Sequence, residues 1–255
     1  MTEKFSLQAA HALDSLLDGT VAPGFTRLGL VVRSHLPGWP ADPSPESLAG
    51  RRVLVTGATS GLGEATALGC LRLGAHVDLV VRNPDKAEDS RGRLLGECPQ
   101  GSVRIVRCDL SDLDDVRRAV DVLAEDQRPI DALVHNAGSM PPKRTESLQG
   151  HELTMSLHVL GPVLMTALLA PHFAADARVV MVTSGGMYGQ KLRDDDPDYL
   201  TGAYSGVTAY ARSKRAQVEL LPLLQQRLGA GVHLYATHPG WADTPGVADS
   251  LPMFR

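Results

Sequence analysis

From Arg52 onward the chain alternates between short runs of Val, Leu and Ile and longer stretches whose apolar residues recur every three to four positions. The short runs, at 52–56, 75–81, 103–107, 131–136, 178–184 and 231–237, predict β-strands. The stretches at 61–73, 84–96, 112–126, 146–173 and 208–228 predict helices. Strands that are apolar almost throughout suit a parallel sheet covered on both faces. Six such alternations without an internal repeat predict a Rossmann-type doubly wound parallel α/β sheet, with right-handed connections and all strand C-termini facing one ligand-binding edge. Pro162, inside the stretch 146–173, removes a backbone donor and predicts a kink.

The first fifty residues follow another pattern. Phe5, Ala9, Leu13, Leu16 and Leu17 recur at helical spacing and predict a short amphipathic helix. An apolar patch over 25–39 is interrupted by Arg27, Arg33 and Gly38, and Pro40, Pro43 and Pro45 then mark a linker. The expected organisation is an N-terminal extension, 1–50, ahead of a dinucleotide-binding domain, 51–255. The extension reads as a strap packed on the domain, an interfacial membrane helix or a substrate-access lid.

Composition narrows the function. The 255 residues are 43% hydrophobic and carry a net charge of -4 without a long basic run, which excludes a phosphate-tracking nucleic-acid binder. Cys70, Cys98 and Cys108 form no CxxC pair and read as reduced thiols, with no metal site expected. No window approaches the roughly 20 apolar residues of a membrane span, so a soluble, cytoplasmic protein without a transmembrane segment is expected. Asp194, Asp195 and Asp196 read as a solvated loop.

The segment from Val53 through Gly57 and Gly61 to Gly63 is a strand, a glycine-rich turn and a helix start. Gly57 allows the tight turn, Gly61 lets backbone approach a pyrophosphate, and Gly63 lets the helix pack closely. Together with Thr59, Ser60 and Leu62 they would present N–H groups at the positive end of the helix. Where a carboxylate would bind a ribose 2′-OH, at the end of the second strand, stands Arg82. An arginine there favours NADP(H) over NAD(H), unless it is an ordinary solvated side chain, and the nearby Glu64 opposes phosphate.

These residues, with Asp109 after the third strand, Asn136-Ala137-Gly138 after the fourth, Ser184 after the fifth, Tyr210-xxx-Lys214, and Pro239-Gly240 after the sixth, resemble the short-chain dehydrogenase/reductase family from Arg52 onward. Ser184-Gly-Gly-Met, Gln190-Lys-Leu and the run from His238 to Val247 are similar to a narrower set within it, the dehydrogenase/reductase member 12 group. The resemblance implies Tyr210 as general acid/base, Lys214 as its electrostatic partner and ribose ligand, and Ser184 as donor to the substrate oxygen. It further implies that Asp109, with Leu110, borders the adenine and that Asn136, Ala137 and Gly138 line the cofactor path. Pro239, Gly240 and Thr244 would reach the nicotinamide or pyrophosphate. Asn136 also reads as a simple turn former. Tyr204 has no lysine four residues on and is discounted. Met187, Tyr188 and Trp241 either line the substrate pocket or only pack.

Two departures from the family pattern stand out. Its usual helix asparagine, whose region holds a water linked to the lysine, is replaced by His158, which either keeps that relay, because it both donates and accepts, or is merely packed. The chain also stops at Arg255, where the family continues through a substrate-covering loop and a last strand, so an incomplete pocket wall and an open sheet edge are expected. The resulting expectation is an NADP(H)-dependent oxidoreductase interconverting a carbonyl and an alcohol, with a small or lipophilic substrate and a homodimer through two helices. The alternative is a weak or inactive NADP(H)-binding scaffold or sensor.

Overall fold

The computed structural model describes residues 2–20 and 24–240. Six strands, β1 (Arg52–Thr56), β2 (His76–Val81), β3 (Ser102–Arg107), β4 (Ile130–His135), β5 (Phe173–Val182) and β6 (Val232–Thr237), form one parallel sheet in the order β3-β2-β1-β4-β5-β6. Chain order reverses between β1 and β4, and in a doubly wound sheet this switch point opens the crevice at the strand C-termini.

Helices cover both faces. Helices α1 (Thr2–Gly19) and α2 (Arg27–Ser34) precede the sheet; α3 (Gly61–Arg72), α4 (Pro84–Glu97), α5 (Leu113–Ala124), α6 (Gly161–Leu169) and α7 (Gly206–Leu228) alternate with its strands. Side-chain alternation in β1 divides the core. Val53 and Val55 pack with Ala67 and Leu71 of α3 and Ala87 and Leu94 of α4. Leu54 faces the opposite layer, among Val116 and Leu123 of α5, Met165 and Leu169 of α6, and Leu224 of α7.

Several expectations shift at element ends. The helix predicted from 146 starts only at Leu153: Gly150 is left-handed (φ 84°), and the Glu152 carboxylate caps the first turn by accepting from the Met155 N–H at 2.8 Å. A π turn over Ser156–Leu160 runs directly into α6, and Pro162, the second residue of that helix, withholds an N–H from the turn before it. β5 begins at Phe173, within the stretch predicted to be helical. Helix α2 was not predicted from the interrupted apolar patch; Thr26 caps it by accepting from the Gly29 N–H. Asp196 is also not solvated: it is buried, accepting from the Leu200 and Thr201 N–H groups and the Thr201 hydroxyl. Finally, contrary to the window expectation, Leu153–His172 is long and apolar enough to cross a membrane by length and composition; half of it is buried in the protein.

Candidate active site

The switch point brings together the turn after β1 and the loop after β4. Gly57 takes φ 66°, and a Cβ on it would come within 2.7 Å of Ala137 Cα. A Cβ on Gly63 would overlap the Asn136 amide and the Gly57 carbonyl, so the first turn of α3 sits directly on the strand ends. Asn136 clasps the turn: its Nδ2 donates to the carbonyls of Thr56 (3.1 Å) and Gly57 (3.2 Å). The Asn136 and Ala137 N–H groups both donate to the Thr56 hydroxyl at 3.0 Å. The turn-former and cofactor-path readings of Asn136 thus converge on one place. Ser60, the residue before α3, lends that helix no side-chain cap, which leaves its N-terminal N–H groups to an external acceptor. The Thr59 carbonyl is tied to α4 by the Ser90 hydroxyl at 3.0 Å, and Leu62 is half-buried beside it.

Arg82 lies exposed just beyond β2, with no carboxylate paired to it among the described residues. Glu64, expected to oppose an anion, is instead ion-paired with Arg93 at 2.7 Å. After β3, Asp109 accepts from both the Ser111 N–H (2.9 Å) and hydroxyl (2.6 Å), whereas the Leu110 side chain points into the core.

Ser184 ends the β5 segment and caps the 3-10 turn Gly185–Gly189. Tyr210 and Lys214 lie one turn apart on α7. Lys214 is only 2% exposed; its Nζ donates to the Val182 carbonyl at 2.8 Å and stands 5.6 Å from the centre of the Tyr210 ring. Burial lowers the Lys214 pKa to about 7. Folding therefore favours the neutral amine, and this lysine costs stability wherever its unfolded counterpart is charged, most fully at pH below about 7. Among the described residues no carboxylate pairs it, and a buried amine with a shifted pKa at a strand-end crevice is a candidate functional group. Burial raises the Tyr210 pKa, and the neighbouring Ser184 side chain works against that rise.

His158 occupies the π turn, fully buried, its ring edge-on to Tyr210 with centroids 5.3 Å apart. The Ser139 N–H donates to Nε2 (3.1 Å), so Nδ1 carries the proton and donates to the Ser213 hydroxyl (2.8 Å). That hydroxyl in turn donates to the Tyr210 carbonyl at 2.8 Å. Burial, and secondarily Lys214, hold the His158 pKa well below its usual value. Pro162 cannot supply the helical donor to the His158 carbonyl, and Gln217 Nε2 supplies one instead at 2.6 Å. The ring thus ties the β4 loop, beside the exposed Gly138, to α7. Ser139, Ser213 and Gln217 were not singled out from the sequence; the available signal was the placing of Ser213 and Gln217 on either side of Lys214 in one helix.

Pro239 and Gly240 follow β6, where the Gly240 N–H donates to His238 Nδ1 at 3.3 Å. Trp241 and Thr244 lie outside the described residues. The Tyr204 hydroxyl donates to the buried carboxylate of Glu152 at 2.9 Å, which with burial raises its pKa and commits it to structure.

The family model described as short chain dehydrogenase matches residues 51–253. Human dehydrogenase/reductase SDR family member 12 is 37% identical over 82% of this chain, and human retinol dehydrogenase 13 is 33% identical over 80%. The chain spans just under two thirds of these relatives' own lengths, 66% and 62%. Among solved structures, an uncharacterised protein from Mycobacterium paratuberculosis superimposes with a TM-score of 0.71 at 34% identity, covering 84% of this chain and 76% of its own. A protein assigned as an NAD(P)-dependent gluconate 5-dehydrogenase from Beutenbergia cavernae, with NADP bound at low occupancy, superimposes at 0.61 with 29% identity, covering 81% and 78%. The chain belongs to the short-chain dehydrogenase/reductase family, and it resembles the member 12 group within it.

Proposed function

We propose that the protein is an NADP(H)-dependent oxidoreductase that interconverts a carbonyl and an alcohol, with Tyr210 as acid/base. The observation that carries this reading is the buried Lys214, held by the Val182 carbonyl beside Tyr210 and without a carboxylate partner among the described residues. The cofactor fits the residues present. The Gly57–Gly63 turn offers uncapped helix N–H groups without a Cβ in the way, and Arg82, free of carboxylates, would hold a 2′-phosphate. Asn136 to Gly138 and Pro239-Gly240 would border the nicotinamide half.

When bound, NADPH supplies the hydride to the carbonyl carbon. Ser184 then donates a hydrogen bond to the oxygen as negative charge grows on it, and the Tyr210 hydroxyl delivers its proton there. The Lys214 ammonium steadies the phenolate left behind. In the oxidation direction the same phenolate takes the alcohol proton. His158 is neutral with both ring nitrogens engaged, so its role is to hold α7 against the β4 loop; any proton path to Lys214 must run elsewhere.

Arg82 provides the test. Arg82→Ala is expected to raise the Kd for NADPH roughly ten- to hundredfold, the worth of a charge-assisted contact, while leaving NADH binding unchanged. The native protein should be stabilised more by NADPH than by NADH in thermal unfolding. A larger shift with NADH contradicts the cofactor assignment. One observation favours the slower alternative, a cofactor-binding scaffold: the Gln217 amide occupies the His158 carbonyl, in the place where the family holds its relay water. Tight NADPH binding without turnover of aldehydes, ketones or alcohols would support it.

A further inference from the structure

The N-terminal segment reaches the edge of the sheet where Ser184 and Tyr210 lie. Arg33 of α2 closes a hairpin onto α1 through ion pairs to Asp14 (2.6 Å) and Asp18 (2.5 Å), and also donates to the Gly24 carbonyl. This fixes the turn that carries Phe25. The Phe25 ring lies 4.6 Å from that of His238, edge to face, and nearly parallel to Tyr188 at 6.5 Å. Tyr188 and His238 are themselves edge to face at 5.9 Å. Its backbone lies so close to Gly240 that a Cβ there would overlap the Phe25 carbonyl.

The positions of the three rings define what they surround. Tyr188 stands four residues beyond Ser184 in the 3-10 turn, and His238 is the first residue after β6, beside Pro239-Gly240. Phe25 therefore bridges the loop that follows the oxygen-binding serine and the loop that borders the nicotinamide half of the proposed cofactor site. A purely structural cluster would be buried, whereas Phe25 is half-buried and Tyr188 is 61% exposed. Burial keeps His238 below its usual pKa and hence uncharged at neutral pH. The group presents partly open, uncharged aromatic surface at the mouth of the site, a surface suited to an apolar ligand.

We propose that Phe25, carried on the N-terminal hairpin, forms with Tyr188 and His238 a wall of the substrate site that takes the apolar portion of a long-chain or ring-bearing carbonyl or alcohol. The inference rests on the oxidoreductase reading and adds to the site a segment that lies before the matched family region. Arg33 is the positioning residue of this wall, since it holds the hairpin in place.

The test uses the whole chain with saturating NADPH and dodecan-1-ol, a pair that cannot react because both are reduced, and measures dodecanol affinity by calorimetry. Phe25→Ala is expected to weaken dodecanol binding about tenfold, the loss of one aromatic contact. Phe25→Leu should recover most of it, and Leu28→Ala, on the exposed side of α2, should leave it unchanged. Unchanged dodecanol affinity in Phe25→Ala, no binding by the native protein, or an equal loss of NADPH affinity would each overturn the proposal. Turnover of dodecanal by the native protein is scored separately. Turnover with dodecanol binding insensitive to Phe25 removes the wall and keeps the oxidoreductase; sensitive binding without turnover keeps the wall and removes the oxidoreductase.

Discussion

Tyr210→Phe is expected to slow carbonyl reduction by about 10²–10⁴-fold, the usual worth of a positioned general acid, with little change in NADPH affinity. The substitution removes one oxygen from a ring whose other contacts remain. The edge-to-face arrangement with His158 involves the ring, and the Ser213 hydroxyl bonds the Tyr210 backbone carbonyl; the variant keeps both. Lys214 keeps its bond to Val182. What disappears is the proposed proton donor, and with it the phenolate that Lys214 and Ser184 would stabilise. Steady-state kinetics and calorimetry separate the two effects. A variant that reduces aldehydes at the native rate would show that the proton comes from another group.

The second large effect concerns stability at the opposite edge of the sheet. Arg52 at the start of β1 is 1% exposed, and its guanidinium donates to Asp78 of β2 (2.9 Å). It also donates to the carbonyls of Leu123 (3.1 Å), Asp126 (3.2 Å) and Arg128 (3.0 Å). The group pins β1 and β2 to the end of α5 and to the turn leading into β4. Asp78→Ala removes the closer of two carboxylates from a buried cation and leaves only Asp126 at 3.8 Å, and urea unfolding should show a loss of about 3 kcal/mol. Because this edge is remote from the glycine turn, the folded fraction of the variant should still bind NADPH. A loss below about 1 kcal/mol would mean that the carbonyls and Asp126 satisfy Arg52 without Asp78.

The legibility of the chain divides along the same line. Strand β1 matched its predicted limits of 52–56 because five consecutive buried residues make a local signal. The glycine turn and the Tyr210–Lys214 spacing were readable because backbone sterics and helical repeat bind residues close in sequence. The surroundings of His158 were not, because its carbonyl, which Pro162 cannot serve, accepts from Gln217, 59 residues away. The Arg52–Asp78 pair escaped for a similar reason: a charged residue at a strand start reads as solvated until its partners in other elements are placed. The N-terminal helix α2 was hidden by the arginine that now closes its hairpin onto α1. His158 itself was flagged, but its role changes once its bonds are known. The sequence left it between a member of a proton relay and a packed side chain; its bonds to the Ser139 N–H and the Ser213 hydroxyl support our reading of it as a strut between the β4 loop and α7.

The most direct measurement of the central claim follows the hydride itself. The protein is incubated with dodecanal and NADPH carrying deuterium at the transferable C4 position, and the alcohol product is examined by mass spectrometry. Transfer of one deuterium to the carbinol carbon by the native protein, and its loss in Tyr210→Phe, is the result expected if Tyr210, Lys214 and Ser184 work as described. Intact NADPH and unlabelled dodecanal after prolonged incubation of a protein that binds both would contradict it.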